Sequence, residues 1–187
     1  MNHTLLLVPG LGDSSDGHWQ NHWLEHFPNA KKVTQNDWHQ PKLNEWLLEL
    51  NNTIEQTEGP IILVAHSLAV ILVAHWSQKY FIPNVIGALL VAPADVDSKK
   101  HTPTETWNFA PIPVTKLKFP SILITSNDDP YINAQRAEFL AEKWKSKYLN
   151  IGNKGHLNAA SQLGLWTDGQ EILDELIQTI QEEVAVK

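Results

Sequence analysis

"IILVAHSLAVILVAHW", residues 61–76, is an apolar run with His66 and Ser67 at its centre. The segment from Pro60 to Ala65 predicts a buried strand, and residues 68–80 are apolar too continuously for a strand and predict a buried helix. Ser67 then occupies a sharp turn between strand and helix. A nucleophile elbow requires this arrangement, with a small residue two positions before and after the serine, here Ala65 and Ala69. Taken alone, the pattern also fits a structural serine.

Outward from this stretch, short apolar strands alternate with helices. This alternation predicts an α/β fold, a three-layer α/β/α sandwich whose mostly parallel sheet is covered on both faces. A length of 187 residues fits one domain, residues 1–187. The predicted strands are residues 3–8, 31–35 and 60–65, and those within 85–95, 120–130 and 147–151. The first predicted helix contains Trp19, Trp23 and Phe27. The other predicted helices are residues 43–59, 68–80, about 131–144 and about 169–184.

Polar residues follow two later strands of the predicted sheet. Asp129 comes after SILITS, and His156 lies in the loop IGNKGHLN after the strand KYLNI. Ligand sites of parallel sheets lie beyond the carboxyl ends of the strands. A serine hydroxyl becomes a good nucleophile when a histidine takes its proton and an acid orients that histidine. The chain order Ser67, Asp129, His156 is that of α/β-hydrolases, which predicts a catalytic triad.

An oxyanion hole needs backbone N–H groups directed at the developing negative charge. Leu68, at the start of the helix after Ser67, is expected to supply one donor. The glycine-bearing loop PGLGDSS after the first strand is expected to supply the second, from Leu11. The same loop lacks the G-x-G-x-x-G and G-K-[ST] patterns of phosphate-binding loops.

Composition narrows the possible partners and compartments. Fourteen Lys and Arg against 21 Asp and Glu give a net charge of −7, which opposes binding to nucleic acid or to anionic membranes. The absence of cysteine excludes disulfides, a thiolate nucleophile and cysteine-ligated zinc. The first apolar run is too short for a signal peptide, and none is long enough to span a bilayer. We therefore expect a soluble cytoplasmic protein.

Seven stretches of the sequence carry a resemblance to a known family. The chain resembles the small serine hydrolases of the α/β-hydrolase superfamily related to the retinoblastoma-binding serine hydrolase and to bacterial YdeN-like proteins. The resemblance covers nearly the whole chain and implies that Ser67, Asp129 and His156 are the triad. Ala69 departs from the glycine that is usual at that position. The stretches are LLLVPGLGDS, HWQNHW, VTQNDWHQP, LVAHSLA, LVAPADV, ITSNDDPY and GHLNAASQLGLW.

Two residues beside the predicted triad have competing interpretations. Asp128 adjoins Asp129, and only one of them can face the histidine; Asp129 matches the family position, whereas Asp128 fits a loop cap or a solvated charge. His66 precedes Ser67 and points the opposite way around the turn. We interpret His66 as a buried or supporting histidine rather than as the catalytic base.

The helix after the first loop carries HWLEH, which matches the inverted zincin pattern through His22, Glu25 and His26. His18 extends this stripe of histidines. No later segment of the sequence shows a pattern that would supply a third zinc ligand. We therefore expect the tryptophans of this helix to face the core and these histidines to lie on its exposed flank.

Several aromatic and acidic residues fall in loops at the predicted catalytic edge. Trp38 and Asp95 could shape the substrate pocket, or could pack and cap. Trp107 and Phe109 lie in the proline-bearing segment DVDSKKHTPTETWNFAPIP and could cover the pocket. Residues 97–118 could thus form a lid.

These observations together predict a serine hydrolase, specifically a carboxylesterase that acts on small acyl esters through an acyl-enzyme intermediate, with no metal or cofactor. The alternatives are a non-catalytic protein-binding module on a hydrolase scaffold, a zinc peptidase and an acyltransferase. The sequence predicts neither the oligomeric state nor the natural substrate.

Overall fold

The computed structural model describes residues 3–80 and 83–185, in which strands and helices alternate along the chain. The strands are β1 (Thr4–Val8), β2 (Ala30–Lys32), β3 (Ile61–His66), β4 (Val85–Val91), β5 (Ser121–Thr125) and β6 (Lys147–Asn150). The helices are α1 (Trp19–His26), α2 (Leu43–Glu55), α3 (Leu68–Lys79), α4 (Ala134–Trp144) and α5 (Thr167–Ala185). Two 3-10 turns cover Thr104–Phe109 and Ala159–Ser161.

The six strands form one sheet in the order β2-β1-β3-β4-β5-β6, and every neighbouring pair is parallel. Side chains alternate between the two faces of a strand, so Leu6 and Val8 of β1 join one buried cluster while Leu5 and Leu7 join the other. Since helices cover both faces, both sets of side chains are apolar, and the central strands appear in the sequence as continuous apolar runs. The predicted three-layer α/β/α sandwich is confirmed.

The helices divide between the two faces of the sheet. Helices α2, α3 and α4 pack on one face, and α1 and α5 pack on the other. Tryptophans fill much of both layers: Trp46, Trp76 and Trp144 are buried on the first face, and Trp19 and Trp23 on the second. Large indole rings bury much apolar surface where α1, α2, α3 and α4 meet the sheet.

Element boundaries differ from the predicted ones by a few residues. Strand β3 extends through His66, which pairs with Val91 of β4. Helix α4 begins at Ala134, because the side chain of Asn133 accepts a hydrogen bond from the amide of Arg136 (2.8 Å) and caps the first turn. Among the described residues, no helix has the length and apolar character needed to cross a membrane.

Candidate active site

Ser67 is the single residue between β3 and α3, and its backbone has φ 60° and ψ −123°. This conformation is sparsely populated by residues other than glycine, and it persists only where the surroundings enforce it. Here the amide of Ser67 donates to the carbonyl of Val91 (2.9 Å), and its own carbonyl accepts from the amide of Val70 (3.0 Å). The sheet and the helix together hold the serine at the apex of a tight turn. Ser67 is therefore not buried inside an unbroken element.

The loop after β1 lies directly against this turn. A Cβ atom on Gly10 would lie 2.9 Å from both the carbonyl oxygen of His66 and the Cβ of Ser67. Glycine is therefore required for the two backbones to approach so closely. The approach brings Leu11 and Leu68 to the same cavity as Ser67.

His156 connects Ser67 to Asp129. Its Nε2 lies 2.8 Å from the hydroxyl oxygen of Ser67, and its Nδ1 lies 2.9 Å from each carboxylate oxygen of Asp129. The tautomer with its proton on Nδ1 donates to Asp129 and accepts from Ser67. His156 is 7% exposed and the side chain of Asp129 is fully buried, so water competes little for these hydrogen bonds. The amide of Tyr131 also donates to Asp129 (2.8 Å) and fixes the carboxylate.

The loop that carries His156 is anchored on both sides of the histidine. The amide of Gly155 donates to Asp128 (2.8 Å), and the hydroxyl of Ser126 donates to the carbonyl of Gly155. The indole of Trp19 donates to the carbonyl of Leu157 (2.8 Å). The hydrogen bond from Gly155 lowers the pKa of the Asp128 carboxyl below its usual value. Asp128 thus caps the loop, while its neighbour Asp129 faces the histidine.

His66 lies behind His156 and supports it. Its Nε2 donates to the carbonyl oxygen of His156 (2.9 Å), and the two ring centroids are 4.9 Å apart. Burial lowers the pKa of His66 well below its usual value, so the ring is a neutral donor and is not placed to act as the base.

His18 lies elsewhere than predicted. It is only 3% exposed, rather than on the open flank of α1, and its ring centroid is 4.7 Å from that of His66. Its Nδ1 accepts a hydrogen bond from the amide of Gln20 (3.1 Å), which makes it the cap of α1. Burial, and then the positive charge on His156 when that ring is protonated, lowers the pKa of His18 to about 4.

The low pKa of His18 predicts that acid destabilises the fold. The unfolded chain binds a proton on this residue near 6.5, whereas the folded ring stays neutral down to about 4. The contribution of His18 to the free energy of unfolding is therefore fully present above pH ~6.5 and declines as the pH falls below that value. Between about pH 7.5 and about pH 5.5, His18 should lower the free energy of unfolding by about 1 kcal/mol. Urea unfolding at the two pH values measures this loss.

A variant separates the contribution of His18 to this pH dependence from that of the other titratable groups. In His18→Asn the carboxamide can keep the cap on Gln20 but does not titrate, so this variant should lose about 1 kcal/mol less than the wild type over the same interval. Identical pH dependence in the two proteins would contradict a depressed pKa at His18.

A cavity of about 420 Å³ opens above Ser67 at the carboxyl ends of the strands. Sequence reasoning missed several of its lining residues. Tyr131 lies two positions after Asp129, and its ring centroid is 4.4 Å from that of His156. The spacing in DDPY could have indicated this neighbour, whereas nothing in the local pattern marks Thr102, Thr106 or Asn158 as lining residues.

The three residues predicted to bind substrate do not line this cavity. Trp38 packs edge-on against Trp46 with ring centroids 5.6 Å apart. The buried carboxylate of Asp95 pairs with Arg136 (3.3 Å). The indole of Trp107 donates to the carbonyl of Thr102 (3.1 Å). Each side chain is already engaged by another residue. For Trp38 and Asp95 this agrees with the second interpretation given above, packing and capping, and the suggested contact of Trp107 with substrate is corrected to a hydrogen bond within its own segment.

The segment predicted as a lid forms a packed side of the cavity. Thr102, Pro103 and Thr106 line the cavity, while Phe109 lies in the core instead of covering the pocket. The Nε2 of His75 donates to the carbonyl of Phe109 (2.7 Å) and ties the segment to α3. Within residues 97–118, the stretch from Thr102 to Thr106 thus forms part of the cavity wall.

The zincin-like residues do not assemble a metal site. Glu25 and His26 are exposed on α1, and His22 is half-buried there. Across residues 3–80 and 83–185, no group of three His, Asp or Glu side chains is arranged to hold a metal ion. The geometry gives a zinc peptidase no support.

Comparisons with known proteins identify the family of the chain. The serine hydrolase family model matches residues 5–175. The crystal structure of a YdeN-like hydrolase from Pectobacterium atrosepticum has 32% sequence identity and a TM-score of 0.85, covering 96% of this chain and 92% of that chain.

Two more distant structures share the fold. The ydeN gene product from B. subtilis has 16% identity and a TM-score of 0.75, covering 95% of this chain and 100% of that one. Est1E from Butyrivibrio proteoclasticus, solved with ferulic acid, has 11% identity and a TM-score of 0.67 over 94% and 90% of the two chains. A search of curated proteins gave no match. From the family match and the 32% identical structure, the chain belongs to the serine hydrolase family, among the YdeN-like members of the α/β-hydrolase superfamily.

Proposed function

We propose that this hydrolase is a carboxylesterase that cleaves small acyl esters through an acyl-enzyme intermediate on Ser67. The observation that carries the proposal is the hydrogen-bonded series from Ser67 through His156 to Asp129, with distances of 2.8 and 2.9 Å. A base within hydrogen-bond reach of the hydroxyl, itself oriented by a third group, is what nucleophilic catalysis by serine requires.

In the proposed mechanism, the hydroxyl oxygen of Ser67 attacks the ester carbonyl while Nε2 of His156 takes the hydroxyl proton. Asp129 stabilises the resulting imidazolium. The amides of Leu11 and Leu68 donate to the oxyanion of the tetrahedral intermediate. The intermediate collapses by breaking the bond to the alcohol oxygen, which receives the proton from His156.

A water molecule then completes the cycle. His156 takes a proton from this water as the water attacks the acyl carbon. It then gives the proton to Oγ of Ser67 as the bond between Oγ and the acyl carbon breaks, which restores the serine hydroxyl and releases the carboxylic acid. Every proton transfer uses His156, and the reaction requires no metal or organic cofactor.

The cavity favours a small, uncharged substrate. Its volume of about 420 Å³ is in the lower part of the range for small-molecule sites. Asp13 is the one residue in its described lining with a permanent charge, and that carboxylate is paired with Lys32 (3.0 Å). Among the described residues that line the cavity, none is a Lys or Arg that could bind an anionic acyl group.

Labelling with a fluorophosphonate tests the proposal. We expect one adduct per chain, located on Ser67 by peptide mass mapping, and loss of p-nitrophenyl ester hydrolysis in proportion to the label. Urea-unfolded protein should not react, since the hydroxyl is then no longer bonded to His156. A folded protein that neither labels nor hydrolyses esters of any acyl length would favour a non-catalytic binding module.

A further inference from the structure

The cavity contains a hydrogen-bond donor that the proposed mechanism does not use. His18 lines the same cavity as Ser67, yet only 3% of the residue is exposed. Its ring centroid is 4.7 Å from that of His66, which is the residue before Ser67. His18 thus belongs to the wall of the cavity that also contains Ser67 and His156.

The hydrogen bonds of His18 determine which nitrogen carries its proton. Nδ1 accepts from the amide of Gln20 (3.1 Å), so its lone pair is already engaged. A neutral imidazole in that state has its proton on Nε2. With a pKa of about 4, the ring is neutral near pH ~7. Within residues 3–80 and 83–185, this Nε2–H group has no hydrogen-bond partner.

The packing around His18 restricts rotation of the ring. It meets His66 edge-on, with 73° between the ring planes. The side chain of Gln20, next to the capping amide, donates to the carbonyl of Val64 (3.0 Å) and accepts from the hydroxyl of Ser14 (2.8 Å). The Nε2–H direction is thus set before any substrate binds, which lowers the entropic cost of using it.

We propose that His18 binds substrate, and that its Nε2–H donates a hydrogen bond to a neutral oxygen near the scissile ester. The preferred substrates are then small esters with an ether, hydroxyl or carbonyl oxygen on the acyl or the alcohol side. A purely alkyl ester would leave a nearly buried donor unpaired, and an ammonium group offers it no acceptor. This proposal rests on the esterase activity proposed above and adds its substrate preference.

Two variants separate the two nitrogens of His18. In His18→Asn, the carboxamide oxygen can replace Nδ1 as the cap of Gln20, but the carboxamide NH2 group falls at the place of Cδ2 and does not reach the position of the Nε2–H donor. In His18→Gln, the longer carboxamide can supply a donor near the position of Nε2 while the cap is lost. His18→Asn should keep the wild-type melting temperature and lose the donor at the position of Nε2. His18→Gln should have a lower melting temperature and keep a donor there.

Isosteric ester pairs reveal the substrate contact. On the acyl side, p-nitrophenyl methoxyacetate is compared with p-nitrophenyl butyrate; on the alcohol side, 2-methoxyethyl acetate is compared with butyl acetate. In at least one pair, His18→Asn should lower kcat/KM for the oxygenated ester by about 10- to 100-fold relative to its alkyl partner. His18→Gln should stay within about 3-fold of the wild-type ratio. Comparing each variant with the wild type cancels the intrinsic reactivity of the esters.

The outcomes distinguish this proposal from the proposed function. If Ser67 is labelled and esters are hydrolysed, but His18→Asn changes both members of each pair equally, His18 is only structural and the substrate preference is refuted. If wild-type protein does not label or hydrolyse, the esterase proposal itself fails. Nitrogen-15 NMR of the wild-type imidazole provides a check that needs no variant: a proton on Nδ1, or a charged ring at about pH 7, would overturn the assignment of the donor.

Discussion

Replacing Ser67 with alanine should lower kcat for p-nitrophenyl ester hydrolysis by about 10⁵- to 10⁶-fold and abolish fluorophosphonate labelling. The variant keeps the cavity and the two amides proposed for the oxyanion but has no oxygen to form the acyl bond. The residual rate above that of water should come from these remaining groups, which act without a nucleophile. Steady-state kinetics and intact-protein mass measurement provide the two readouts.

The structure indicates that this substitution leaves the fold intact. The hydroxyl of Ser67 makes no capping hydrogen bond to α3, so its removal leaves no helix amide newly unsatisfied. Ser15→Ala is the matched control, because Ser15 lines the same cavity but is not bonded to His156. We expect this control to stay within about 3-fold of the wild-type kcat, since a residue outside the reacting groups has little transition-state contact to lose. Full activity in folded Ser67→Ala would refute the proposed nucleophile.

The order of the elements could be predicted from the sequence because it depends on local patterns. A buried parallel strand is a short apolar run, and a strand that leads directly into an apolar helix places the residue between them at a turn. Ser67 could be located in this way. Asp129 and His156 follow because both are polar residues placed just after strands, and such strand ends meet at one edge of a parallel sheet.

The residues that line the cavity could not be predicted in the same way. Trp38 and Trp107 are in suitable loops, but an indole in a loop turns toward whichever apolar surface or carbonyl the tertiary fold provides. Asp95 is held by Arg136, 41 positions later in the chain. The exposed position predicted for His18 is wrong because the periodicity of a helix does not extend to its capping residue, which has extended backbone angles.

Replacing Asp129 with asparagine should lower kcat/KM by about 10⁴-fold, although the side chain keeps its size. The carboxamide can present an N–H group to Nδ1 of His156, which reverses the tautomer and places a proton on Nε2. Nε2 can then no longer accept the proton of Ser67, which lies 2.8 Å away. The carboxamide also cannot stabilise an imidazolium by charge. The kinetics use the same p-nitrophenyl esters.

Asp128→Asn is a control of identical chemistry at the adjacent position. Its carboxamide oxygen can still accept from the amide of Gly155 (2.8 Å in the wild type), so the loop that carries His156 should keep its place. We expect a loss of less than about 10-fold, because this carboxylate does not contact the imidazole and a loop hydrogen bond contributes only modestly. The difference of about 10³-fold between neighbouring substitutions would separate orientation of the histidine from support of its loop. Equal losses would mean that both carboxylates act only through the loop, and Asp129 would then have no direct part in proton transfer.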